Sequence, residues 1–241
     1  MNQRHILNVI YTNIGRGHPF YLDGVVKCLL ERYGDQIRLN ITDVFSVSSG
    51  LSLGLWRMVR WLYLQGSQGK ISRKFYRIIR RDKKPDPRGI VEKMLAVKVR
   101  SYLQHNRYPT LVGHPMLVSM ISDLVPVYYQ HGEIAVPDLA LVSDAEKVFV
   151  PLDSCRERLV LNGIPQSTVL ATGLCIEDYL AKHAREYYEK RLNRLKKRPV
   201  LVGAFFSSGA EPVDHVRAIC IAAGSAVSEG HRAVVFCAAG G

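Results

Sequence analysis

The opening of the chain, from Arg4 to Leu30, restricts the possible folds more than any other stretch. Ile6-Leu7-Asn8-Val9-Ile10-Tyr11-Thr12 is an apolar, β-branched run of strand length. The turn Asn13-Ile14-Gly15-Arg16-Gly17-His18 follows, then Pro19 and a run with Phe20, Leu22, Val25, Val26, Leu29 and Leu30 three and four residues apart. That spacing puts the apolar residues on one face of a helix. A strand entering a helix through Gly-x-Gly is how doubly wound α/β domains open: glycine permits the sharp turn, and the helix N-terminus offers free N–H groups to a ligand. His18 falls at the helix start, where the positive helix end favours a neutral imidazole able to accept a proton.

The dinucleotide fingerprint requires a third small residue three positions after Gly17, and Phe20 stands there. A nicotinamide-dependent enzyme is therefore not expected, and no cofactor is. Five cysteines, at 28, 155, 175, 220 and 237, form no Cys-x-x-Cys pair and have no histidine at ligand spacing. They read as small core residues in a reducing compartment, with no metal centre. There is no signal-peptide pattern at the start and no uncharged apolar run of spanning length, so a cytoplasmic protein is expected.

The formal net charge is +12, and it is concentrated. Between Arg57 and Arg107 there are 15 Lys and Arg against Asp82, Asp86 and Glu92, which accounts for the whole excess; the remainder balances at 18 against 18. Such a block implies an anionic partner. The preceding segment, Val44–Leu64, is rich in Leu, Val and Ser and carries Trp56 and Trp61 around Arg57 and Arg60. It fits either an amphipathic segment with its tryptophans at headgroup depth or an ordinary core helix. The polybasic run Lys70–Lys84 favours the former, because an apolar aromatic face beside a basic patch is the two-signal pattern for an anionic membrane surface. Nucleic acid is not expected, since no RNA-binding aromatic signature is present.

Further along, Ile37–Asp43 alternates as a second parallel strand, and a helix runs from about Asp86 to Gln104. Pro109–Val112 is a short strand ending in Gly113-His114-Pro115, and Val125–Gln130 ends in His131-Gly132. Carboxyl ends of parallel strands converge on the ligand crevice, so His18, His114 and His131 are candidate site residues. A strand at Lys147–Pro151, a helix from Asp153 to Asn162, Gly163-Ile164-Pro165, and a strand ending in Thr172-Gly173-Leu174 complete this part. A charged helix, Asp178–Arg198, then leads into a strand (Val200–Phe206), the turn Ser207-Ser208-Gly209, a helix (Glu211–Glu229) and a strand (Arg232–Cys237).

From Ile6 to about Tyr179, the Gly15-x-Gly17-His18 turn and the order of motifs up to Thr172-Gly173 resemble GT-B glycosyltransferases. The similarity is to the branch of monogalactosyldiacylglycerol synthase and the peptidoglycan N-acetylglucosaminyltransferase. Cys175 stands where that family commonly has proline, and Gln130-His131 where it often has Thr-Asp. The resemblance implies a Rossmann-like acceptor-binding domain over 1–178 with an amphipathic basic insertion at about 44–107. A connecting helix at 179–198 and an incomplete donor-binding domain at 199–241 would follow, since two strands and a helix cannot bury a core of their own. It implies transfer of a sugar from a nucleotide sugar, a uridine diphosphate sugar by expectation, to a lipid acceptor at the membrane. His18 or His131 would serve as base, Gly15, Gly17, His114, Trp56 and Trp61 would lie on the acceptor side, and Ser207, Ser208 and Gly209 on the donor side. A 241-residue chain of this kind is expected to transfer sugar poorly by itself. The alternatives are a soluble GT-B enzyme such as a sugar-nucleotide epimerase and a non-catalytic lipid-binding relative.

Overall fold

The first apolar run forms strand β1 (His5–Tyr11), which lies inside a six-stranded sheet, not at its edge. The computed structural model describes residues 4–14, 17–65, 89–197, 199–206 and 213–237, with side chains described at all of these except 17–20, 63–65, 204–206, 213 and 237. The described residues divide into two units. The first comprises residues 1–60 and 81–178, the second 61–80 and 179–241.

In the first unit, β1 leads to helix α1 (Gly17–Tyr33) and strand β2 (Ile37–Asp43). Helices α2 (Val44–Val47), α3 (Gly50–Gln65, which runs past Arg60) and α4 (Ile90–His105) follow. Then come β3 (Thr110–Val112), α5 (Pro115–Ile121), β4 (Val127–Gln130), β5 (Lys147–Val150), α6 (Asp153–Leu161) and β6 (Val169–Ala171). The strand order is β2-β1-β3-β4-β5-β6, and every neighbouring pair is parallel. The chain winds outward from β1 to β2, then crosses to β3 and proceeds the other way. The winding direction therefore reverses between β1 and β3, which is the switch point where open α/β sheets bind ligands.

Both faces of this sheet are covered, which is why its strands are apolar on both sides. Val9, Leu22 and Leu111 form a buried cluster on one face, joined by Leu7, Tyr11, Val25, Val26, Tyr128 and Phe149, so α1 packs there. Alternation along the strands sends Ile10, Val112, Tyr129 and Val148 to the opposite face, and all four are buried. One polar row interrupts the apolar sheet. The amide of Asn8 donates to the Asn106 carbonyl at 2.8 Å and to Thr110 Oγ1 at 3.3 Å, while its oxygen accepts from Asn40 Nδ2 at 3.1 Å. Asn40, Asn8 and Thr110 sit directly opposite one another on β2, β1 and β3.

The second unit contains helix α7 (Asp178–Leu195, of which Tyr179 onward belongs here) and a parallel pair, β7 (Leu201–Phe206) and β8 (Arg232–Cys237), joined by α8 (Val213–Ser228). No residue of α7 is buried. Its turns are tied by Glu186 with Lys190 and by Arg185 with Glu189, pairs four residues apart on a helical surface.

Two sequence expectations need revision. The segment Val44–Leu64 is two helices broken at Ser48, where the chain turns extended. Pro115–Ile121, which the sequence presents only as the continuation of a strand-end turn, is a helix, started by Pro115 in its first turn and capped by His114.

Candidate functional site

The pairing of the strands places the candidate residues relative to one another. Ile10 lies opposite Val112, and Val112 opposite Tyr129. Two residues further on, Thr12, His114 and His131 come to one level at the carboxyl edges of β1, β3 and β4. Adjacent strands are about 4.8 Å apart, so these three residues span the switch point and its neighbour.

Thr12 is wholly buried, and its hydroxyl has no hydrogen-bond partner among the described residues. A buried hydroxyl in that state is uncommon and costly. His114 is buried at the N-cap of α5, with its Nδ1 accepting from the Met116 amide at 3.2 Å. Because Nδ1 accepts, the ring proton resides on Nε2 in the neutral form.

His131 is buried and tied at both nitrogens. Nε2 stands 2.9 Å from the Ala135 carbonyl, and Nδ1 3.0 Å from the Tyr129 hydroxyl. A carbonyl only accepts, so Nε2 carries the proton and Tyr129 donates to Nδ1. Burial depresses the pKa of this imidazole, against the opposing pull of the Ala135 carbonyl and of Glu133. His131 is therefore a neutral strut that shapes the loop after β4. With both nitrogens engaged it presents no free lone pair for proton abstraction, which corrects its expected role as rival base.

That loop is fixed from the far side as well. Arg158 on α6 donates to the Val136 carbonyl at 2.6 Å and to Asp138 at 3.0 Å, and the Cys155 thiol reaches the Ile134 carbonyl at 3.3 Å. At its start, Gly132 lies against the ring of Tyr21 on α1, close enough that a β-carbon at 132 would overlap the ring. The first turns of α1 are thereby held beside the end of β4. Burial raises the pKa of Tyr21, and the carboxylate of Glu133 raises it further.

Helix α1 begins at Gly17, so Gly17 and His18 occupy its first turn, while their side chains lie outside the described residues. Gly15, Ser207, Ser208, Gly209 and the basic run Lys70–Lys84 are outside the described residues altogether.

The two tryptophans part company. Trp56 has no exposed surface, and its indole N–H donates to the Leu95 carbonyl at 3.1 Å; Ser52, one turn earlier, donates to that same oxygen at 3.1 Å. Trp56 is thus the anchor of α3 on α4, not a residue at headgroup depth or on an acceptor surface. Trp61 is 55% exposed. Leu51 and Met58, seven residues apart and so on one helical face, are 64% and 48% exposed, with Leu55 half-buried between them. Arg57 and Arg60 are exposed on another side of α3, and the Arg60 guanidinium sits 5.7 Å from the centre of the Phe45 ring.

A groove of about 970 Å³ opens elsewhere, lined by Glu92, Lys93, Arg100, Gln104, Ser119 and Asp123 among others. Asp123 precedes β4, so this groove reaches the amino edge of the sheet, away from the row of Thr12, His114 and His131. Its floor is structural: Arg100 holds Asp123 through two bonds of 2.6 and 2.8 Å and also donates to the Met120 carbonyl. Among the described residues no cluster of His, Cys, Asp and Glu is arranged to hold a metal ion, and no helix is long and apolar enough to cross a membrane.

Thr12, Tyr21 and Glu133 are further residues at this edge of the sheet that sequence reasoning passed over. Thr12 carried a usable signal, a polar residue closing an apolar strand just before a glycine turn. Tyr21 and Glu133 carried none, because their proximity depends on α1 crossing to β4. No protein-family model matches the chain, and no curated protein matches it.

Proposed function

We propose that the first unit is the acceptor-binding half of a glycosyltransferase. It would transfer a sugar from a uridine diphosphate sugar to a lipid hydroxyl at an anionic, cytoplasm-facing membrane surface. The observation that carries this reading is the level row of Thr12, His114 and His131 at the switch point, with Gly17 and His18 in the first turn of α1. Parallel α/β sheets bind ligands at that edge. The exposed Leu51–Met58 face, with Trp61 further along α3 and arginines at its side, supports a lipid surface as the source of the acceptor.

Sugar transfer with inversion needs a base for the acceptor hydroxyl and donors for the departing diphosphate. In this reading His18 is the base. Gly15 and Gly17 are assigned to the acceptor side, and Ser207, Ser208 and Gly209 to the donor side. His131 and Tyr129 hold the opposite wall in place.

The test is transfer of radiolabelled sugar from uridine diphosphate sugars into vesicle lipid by the whole protein, with and without His18→Ala. Labelled lipid that falls by about 10²–10⁴-fold in the variant supports the assignment, that being the scale of losing a general base. Undiminished transfer removes His18 from the role. Vesicle binding with no transfer to any lipid hydroxyl would leave a lipid-binding module in place of an enzyme.

A further inference from the structure

Helix α1 is clasped at its middle by the segment that follows β6. Gly24 lies so close to the backbone of Ile176 that a β-carbon at 24 would stand 2.5 Å from the Ile176 carbonyl oxygen. One turn on, Lys27 Nζ is paired with Asp178 at 2.7 Å. Two independent contacts thus hold residues 176 and 178 along the face of α1 that carries residues 24 and 27. Cysteines occupy adjoining positions on both sides: Cys28 is four residues after Gly24, and Cys175 is directly before Ile176. Residues four apart on a helix have β-carbons about 5–6 Å apart, and helical side chains lean toward the N-terminus. Cys28 therefore lies one turn from the point where the backbone next to Cys175 meets α1. A disulfide needs Cα atoms about 4.4–6.8 Å apart, and Cys175 lies in an irregular segment between β6 and α7.

The two thiols differ in kind. Cys28 is exposed, whereas Cys175 is partly covered. Burial raises the pKa of the Cys175 thiol, and the neighbouring Cys28 raises it further. Cys155 is buried and occupied by the Ile134 carbonyl, and Cys220 belongs to the second unit.

We propose that Cys28 and Cys175 are a redox-modifiable pair that a small-molecule disulfide converts to an intramolecular disulfide, stapling α1 to the segment after β6. The Cys28 thiolate attacks one sulfur of oxidised glutathione, forming a mixed disulfide and releasing one glutathione thiolate. The Cys175 thiolate then attacks the Cys28 sulfur and releases the second glutathione. Two protein thiols are oxidised, one glutathione disulfide is reduced to two thiols, and both thiol protons pass to solvent or to the released glutathione. The exposed Cys28 is the entry point and Cys175 the resolving thiol. This inference does not depend on the proposed sugar transfer, since the helix so fastened is defined by the fold alone.

The test is incubation of the whole protein with oxidised glutathione, followed by intact mass measurement and non-reducing peptide mapping. The expected product has lost two hydrogens and yields one cross-linked peptide joining Cys28 to Cys175, and dithiothreitol reverses it. Cys175→Ser should stop at a glutathione adduct on Cys28, and Cys28→Ser should remain largely unmodified at position 175. The cross-linked form should melt at a higher temperature than the reduced form. A stable glutathione adduct on Cys28 in the unsubstituted protein, a cross-link to any other cysteine, or no reaction at all would each overturn the proposal.

Discussion

Gly132 and Tyr21 meet face to face: the ring of Tyr21 fills the space that a β-carbon at 132 would need. This contact joins the start of the loop after β4 to the second turn of α1. Gly132→Ala should therefore cost about 1–3 kcal/mol, the usual penalty of overpacking. The collision is with the ring, so Tyr21→Ala should abolish it. In urea unfolding of both single variants and the double variant, Gly132→Ala should add little loss once Tyr21 is gone. Full additivity would mean that position 132 is restricted for some other reason.

Trp56 and Trp61, five residues apart, should respond in opposite ways. Trp56→Ala opens a cavity in the contact of α3 with α4 and frees the Leu95 carbonyl of one donor, so a loss of about 3–5 kcal/mol is expected. Trp61→Ala touches a largely exposed side chain and should stay within about 0.5 kcal/mol of the parent. Thermal unfolding of the two variants side by side decides the point, and equal losses would contradict the burial difference.

His131 sets a pH dependence with a definite sign. Its folded pKa is depressed by burial, so the unfolded chain takes up the proton first as the pH falls. Its contribution is complete above the unfolded value of about 6.5 and is lost as the pH drops from there toward the folded value. Unfolding free energies measured between pH 7.5 and 5 should decline, and the decline should be shallower in His131→Leu although that variant is less stable overall. An unchanged slope would show that the ring is not the titrating group.

The hydroxyl of Thr12 is buried without a partner among the described residues, a state that costs about 1–3 kcal/mol. Thr12→Val keeps the shape and removes the stranded group, so it should raise stability. Chemical denaturation provides the measurement. A loss of stability would reveal that the hydroxyl is bonded in the protein.

Vesicle binding should depend on the outer face of α3. Leu51→Asp with Met58→Asp should weaken co-sedimentation with phosphatidylglycerol vesicles without lowering the melting temperature, since both side chains are exposed. Added salt should weaken binding of the parent, because about 1 kcal/mol per basic residue near the surface is electrostatic. Equal binding to neutral vesicles at all salt concentrations would remove the charge contribution.

Much of the first unit is written locally. Strand β2 falls at Ile37–Asp43 and, in the second unit, strand β8 at Arg232–Cys237, as alternation and turn residues indicate. Strand ends bearing His114 and His131 were equally legible, because glycine or proline follows each. What the histidines do there was not. Whether His131 is a free base or a strut depends on Tyr129, two residues back on the same face, and on a carbonyl that only the folded loop brings up. The two tryptophans pose the same difficulty in helical form. Both lie in one apolar run, and only the position of α4 determines that residues 52 and 56 face inward while 51 and 58 do not. Helix α5 has no periodic signal because Pro115–Ile121 is short and, apart from Ser119, apolar, as a mostly buried helix is.

The polar row of Asn40, Asn8 and Thr110 acts as a vernier for the sheet. Apolar strands slide past one another at small cost, since valine replaces isoleucine with little penalty. Asn8 admits one alignment only: a slip of a single residue would turn its amide to the other face, strand its hydrogen bonds in an apolar interior, and carry Thr12 to the wrong side of β1. An amide four residues upstream thus calibrates where the last side chain of the strand arrives, and through the pairing of β1 with β3 it calibrates His114 too. Asn8→Val should leave a well-packed sheet with more than one alignment, visible as doubled amide resonances for residues at the carboxyl edge.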